Sequence, residues 1–117
     1  MTILDLDGDG DQRTGWVVFF YHVGRDDQTP AGTVVKQGDP LGHPSCEGGR
    51  ATGTHVHVAR RFNGEWIAAG GTIPFEMGGW VAAAGESPYE GALTKGSKVV
   101  PACECSTAAN RIEYTLP

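Results

Sequence analysis

The stretch Thr52-Gly53-Thr54-His55-Val56-His57-Val58-Ala59-Arg60 decides how this chain is read. Its residues alternate and include β-branched side chains, the pattern of a strand. Side chains two apart in a strand share a face. Val56 and Val58 are therefore expected to face the core, with His55 and His57 side by side on the opposite face. Neutral imidazole is the commonest metal ligand and titrates near neutral pH. Two imidazoles on one strand face are thus a start for a metal site or for acid–base chemistry. The competing reading is a solvated face that happens to carry two histidines.

The chain around this stretch has 117 residues, enough for one domain of ordinary size. Hydrophobic residues make up 39% and charged residues 20%, which implies a folded chain and excludes a disordered one. A formal charge of −5 argues against nucleic acid or an anionic membrane as the main partner. No apolar run approaches the roughly 20 residues of a membrane span. Met1 to Asp11 lack the basic and apolar regions of a signal peptide. The expectation is either a cytosolic protein or a piece of a longer exported one.

The 18 glycines and 7 prolines, among many β-branched residues, read as short strands joined by tight turns. The fold expected is all-β, with little or no helix: an antiparallel sheet plus a small second sheet or hairpins. Residues 1–100 are taken as the β domain and 101–117 as a weakly ordered tail. Thr2 to Leu6 opens the chain as a strand. Gly15 to Val23 is a continuous apolar run, as expected of a central strand covered on both faces. Thr33-Val34-Val35 reads as a further short strand. Asn63-Gly64 is a type I′ hairpin signal, which pairs the histidine strand with Glu65-Trp66-Ile67. Trp66 and Trp80 suit either groove walls or core positions.

Several other residues are candidates for chemistry. Asp5, Asp7, Asp9 and Asp11, with Gly10, imitate the first half of an EF-hand loop. Position twelve is Trp16, where a bidentate Glu is needed, so a hairpin loop competes with a calcium site. The glycine-rich loop from His43 to Gly53 lacks the ending of a phosphate-binding P-loop. It suits close approach of backbone to a ligand, and Gly53 and Thr54 at its end are the candidate substrate-binding residues. His22 ends the apolar strand; His43 is expected to be exposed and without a role. Cys103 and Cys105 are one residue apart and in a strand would face opposite sides, so a mutual bridge is not expected. A bridge from Cys46 to either is left open.

Three segments in order carry a resemblance. They are Tyr21-His22; then Val35-Lys36-Gln37-Gly38-Asp39-Pro40-Leu41-Gly42; then Gly48-Gly49-Arg50-Ala51-Thr52-Gly53-Thr54-His55-Val56-His57-Val58. Together they resemble the lysostaphin/LytM-type zinc metallopeptidases, which cleave peptide bonds in bacterial cell-wall peptidoglycan. The match runs over about residues 3 to 82 and allows for a changed Tyr–His spacing, since the family has Tyr-x-His. The resemblance implies a duplicated-hybrid-motif-like β fold and a zinc cofactor. It implies His57 as a zinc ligand, and His22 and His55 as catalytic residues beside the metal. A catalytic zinc needs three protein ligands and an open position for water. The family supplies the other two from an upstream H-x-x-x-D motif, which this sequence lacks; no histidine precedes His22.

Two functions are therefore expected. The first is part of a zinc endopeptidase acting on peptidoglycan peptides at or beyond the cell envelope, inactive as this chain alone. Its glycine-rich rims, from Gly38 to Gly53, suit an extended peptide of small residues. The alternative is a non-catalytic module that uses the same groove to bind peptidoglycan or a partner protein. A makeshift metal site of His22, His55 and His57 is a further expectation. Without more strands, an unpaired sheet edge would favour self-association.

Overall fold

A computed structural model describes residues 1–105 and 107–117. The chain is all-β, with two antiparallel four-stranded sheets and a single 3-10 turn at Ala108–Asn110 among the described residues. Among the described residues, no helix is long and apolar enough to cross a membrane. The chain divides into two compact units, Met1–Trp66 and Ile67–Pro117.

The first unit holds the sheet β1(Thr2–Asp5), β2(Trp16–Tyr21), β3(His57–Phe62) and β4(Glu65–Trp66), in that spatial order. The apolar run is central, as expected: β2 is hydrogen-bonded to β1 on one side and β3 on the other. It is covered unequally. Val17 and Phe19 are buried, while Trp16, Val18 and Phe20 on the opposite face are half-buried. The Asn63-Gly64 hairpin forms, with Phe62 paired to Glu65. Asn63 and Gly64 have φ of 47° and 81°, the left-handed pair a type I′ turn requires. Asn63 is also tied to Gly15 twice, through its amide (3.0 Å) and its side-chain oxygen (2.9 Å).

The register reverses one expectation. Tyr21 pairs with His57, Phe19 with Ala59 and Val17 with Arg61. Directly paired residues share a face. His57 therefore stands on the face of buried Val17 and Phe19, whereas Val58, opposite Phe20, lies on the other. Alternation is indifferent to which face is covered. Here the cover comes from the long side chains of the histidine face. Trp66 packs on Phe19 at 5.0 Å between ring centroids, and the Arg61 guanidinium lies 4.0 Å from the Trp66 ring and 5.0 Å from Phe19. Such a cation is held by the ring quadrupoles while its stem shields apolar surface. Val56 precedes the strand and is exposed.

Thr33 to Val35 is not a strand. Thr33 closes a turn onto the Pro30 carbonyl (3.2 Å) and Val34 is 94% exposed, so no neighbouring strand or core rewards extension there. β1 lies at the sheet edge; the Gln28 amide donates to the Met1 carbonyl and to the Thr2 hydroxyl, both at 2.8 Å, at its beginning.

The second unit is a meander of β5(Glu76–Met77), β6(Trp80–Ala84), β7(Gly91–Lys95) and β8(Lys98–Pro101). Trp80 is its buried anchor. Beyond β8, Cys103 and Cys105 are bonded to each other and Cys46 is free, contrary to the strand-based expectation. These residues lie outside any strand, so alternation of faces does not apply; their Cα atoms are 5.2 Å apart, within disulfide range. The 3-10 turn is tied back by Asn110, whose side-chain amide donates to the Pro101 carbonyl (3.0 Å).

Candidate functional site

The site is built where β2 ends and β3 begins. Tyr21 is the last residue of β2 and pairs with His57, the first of β3. Their rings meet at 5.2 Å between centroids. One residue further, the backbone leaves the strand: His22 has φ of 62°, a left-handed conformation uncommon for non-glycine residues. Strand alternation is broken at that residue, and the His22 imidazole meets His55, 4.5 Å between centroids. His22 is buried, at 7% exposure, and His55 is exposed.

Both imidazoles are oriented through the same nitrogen. His22 Nδ1 lies 2.8 Å from the Glu47 carbonyl oxygen, and His55 Nδ1 lies 2.8 Å from that of Gly53. A carbonyl only accepts, so each Nδ1 carries the proton and donates. In the neutral ring, Nε2 is then the nitrogen with a lone pair for a metal or a proton. This is the means by which an outer partner fixes the tautomer of a working histidine.

The loop from His43 to Thr54 closes around His22. Val23 forms a β-bridge with Pro44, and Ser45 forms one with His55. The Gly24 amide donates to the His43 carbonyl at 2.9 Å. His43 itself is exposed, with its ring over Gly24: a Cβ there would come within 2.5 Å of His43 Nε2. Gly53 contributes its carbonyl to His55, and the Thr54 hydroxyl lies 4.0 Å from Cys46 Sγ. Ser45 and Glu47 were not marked by the sequence. Glu47 acts through a backbone carbonyl, which every residue has, so no side-chain signal announces it.

The acidic loop is separate from the histidines. Among the described residues, Asp5, Asp7 and Asp9 are the one set of three or more His, Cys, Asp or Glu whose ligand atoms lie within 4.8 Å of one another. Asp11 stands outside it, held by Arg13 through two contacts of 2.8 Å. The guanidinium of Arg13 and its backbone amide hold the Asp11 carboxyl down at about 2. Asp9 is engaged by the Thr14 hydroxyl and the Asp11 amide, and is lowered by both. Calcium takes roughly six to eight oxygens, so the triad is at most the beginning of a site.

Asp7 behaves oppositely. The Asp9 amide lowers its pKa, but desolvation and the neighbouring Asp5 and Asp9 carboxylates outweigh this and raise it above the ordinary 3.8. A raised folded-state pKa means that the folded chain holds the proton more tightly than the unfolded chain. Its stabilising contribution is full below the unfolded value and is lost as pH rises through the folded one. Asp7→Asn keeps an oxygen for the Asp9 amide (3.2 Å) and removes the charge. It is expected to melt above the parent at pH 7 and together with it near pH 3. A lower melting temperature at pH 7 would contradict the repulsion.

The three histidines do not gather into a metal-binding group of the same kind: the ligand atoms of His22, His55 and His57 do not all fall within 4.8 Å. The chain matches no protein-family model, no curated protein and no solved structure.

Proposed function

We propose that this chain is part of a zinc-dependent metalloendopeptidase of the lysostaphin/LytM type, acting on peptidoglycan peptides at the cell envelope or outside the cell. The observation that carries the reading is the His22–His55 pair. Two imidazoles from separate segments meet at 4.5 Å, each with Nδ1 on a carbonyl. These are the two histidines to which the resemblance assigns acid–base work. His57, to which it assigns metal binding, lies instead against Tyr21.

The zinc itself does not fit this chain alone. A catalytic zinc takes three protein ligands, and the described residues gather no histidine-containing group of three. No step is derived through the metal, and the isolated chain is expected to be inactive. What its own residues contribute is a proton path. An Nε2 lone pair accepts a proton from an attacking water; the resulting imidazolium donates to a developing oxyanion or to the leaving amine. Burial of His22 keeps one of these groups dry, where such hydrogen bonds are stronger.

The test joins a segment bearing H-x-x-x-D upstream of Met1 and follows zinc content and hydrolysis of peptidoglycan peptides. Stoichiometric zinc with cleavage is the expected result; absence of both sinks the peptidase reading. The missing ligand set also favours a second reading, a binding module for wall peptide. In that case the unextended chain sediments with purified peptidoglycan, and histidine modification leaves the binding unchanged.

A further inference from the structure

We infer that Ser45 and Glu47 form a positioning clip that fixes the conformation and tautomer of His22, with Ser45 as its key side chain. The inference rests on the catalytic reading of His22 and says how that residue is held. Ser45 grips the His22 carbonyl twice, through its amide at 2.7 Å and its hydroxyl at 2.8 Å. The same hydroxyl accepts the Glu47 amide at 3.0 Å. That bond sets the peptide whose neighbouring carbonyl takes the His22 Nδ1 proton at 2.8 Å. Ser45 also bridges to His55 through the backbone. One serine therefore ties the main chain of His22, the acceptor of its ring and the segment carrying its partner imidazole. At the outer end, the Glu47 carboxylate accepts the Arg25 amide at 3.1 Å and faces the Arg25 guanidinium at 3.7 Å.

The physical need for the clip is the conformation of His22. A left-handed φ of 62° is uncommon for a non-glycine residue and is held in place by its surroundings. Two hydrogen bonds to the carbonyl of this residue, and one to its ring, are what holds it. Without them the residue would relax towards strand geometry, in which successive side chains alternate in face. The imidazole would leave His55 and its Nδ1 would lose its acceptor. A free imidazole has no reason to keep the proton on Nδ1.

The experiment reads the tautomer by nitrogen-15 NMR of the ring in the full chain, at a pH where His22 is neutral. In the parent, His22 is expected as the Nδ1–H form. Ser45→Ala is expected to lose most of that form, and Ser45→Thr, which keeps the hydroxyl and the amide, to restore it. Glu47→Ala, at an exposed position, is expected to shift the populations less and in the same direction. It reports on the clip even if Ser45→Ala does not fold. A parent His22 protonated on Nε2 overturns the proposal. So does a folded Ser45→Ala with the parent tautomer, or a Glu47→Ala without any shift when Ser45→Ala is unfolded. None of these readouts needs turnover. An intact clip in a chain that never becomes a peptidase would refute the functional reading and leave the clip standing; in an active extended enzyme, Ser45→Ala should lower kcat about 10- to 100-fold with KM little changed.

Discussion

Phe19→Ala is expected to destabilise the first unit by about 3–5 kcal/mol, the usual loss for truncating a buried aromatic. Phe19 is 3% exposed and sits at the centre of the histidine face. Its ring touches Tyr21 at 6.3 Å, Trp66 at 5.0 Å and the Arg61 guanidinium at 5.0 Å. Removing it takes away the floor on which both Arg61 and Trp66 lie. It also removes one side of the stack that leads through Tyr21 to His57. For a unit of this size a loss of that order lowers Tm by more than about 10 °C. Chemical denaturation followed by tryptophan fluorescence measures it, because Trp16 and Trp66 belong to the same sheet. Val34→Ala is the control: Val34 is 94% exposed, and such a surface change stays within about 0.5 kcal/mol. Equal midpoints for the two variants would mean that Phe19 is not a core residue.

The reason for so large an effect is the small number of buried apolar side chains. Among the described residues these are Val17, Phe19, Val23 and Trp80, three of them in the first unit. The rest of the sheet's apolar surface is half-buried, and Ile3, Phe62 and Trp66 are exposed. A core this concentrated offers few neighbours to relax into a cavity, so the cavity term is paid nearly in full.

The all-β class, the central position of the 15–23 run and the Asn63-Gly64 hairpin were legible because each rests on short-range chemistry. A continuous apolar run and a pair of residues that accept left-handed φ act within a few positions. The side of the sheet that would be buried was not legible. It depends on Trp66 and Arg61 folding over Phe19, and a hydrophobic pattern scores Arg61 as polar and cannot say which face Trp66 covers. Thr33 to Val35 failed for the complementary reason: β-branched residues favour extension, but no partner strand reaches them. The cysteine pair failed because residues 103 to 105 are not in a strand at all.

The candidate site divides in the same way. His55 and His57 announced themselves by spacing, and the strand register does place His57 beside Tyr21. The meeting of the His22 and His55 rings was not legible in the local pattern. Local pattern puts His22 at the end of a strand, pointing away from Tyr21's face. The left-handed residue that redirects it, and the serine and carbonyl that hold it there, are long-range consequences of the loop from His43 to Thr54. Ser45 lies 23 residues from the group it grips.

In the extended, zinc-loaded form, His22→Asn and His55→Gln are each expected to lower kcat by about 10²- to 10⁴-fold, the usual share of a positioned acid or base. Asparagine is chosen at 22 because it tolerates the left-handed conformation that most side chains resist. The variant thereby removes the imidazole without releasing the φ of 62° at that position. Glutamine at 55 keeps a polar chain of similar reach. Since the two rings are in contact at 4.5 Å and the proposed function gives them one proton path, the double variant should be little worse than either single one. Additive losses would instead mean two independent roles. Zinc content separates this pair from the third histidine: it should be unchanged in His22→Asn and His55→Gln, and lost in His57→Ala. If either substitution at 22 or 55 strips the metal, the division of labour is wrong, and the paired imidazoles bind the metal themselves.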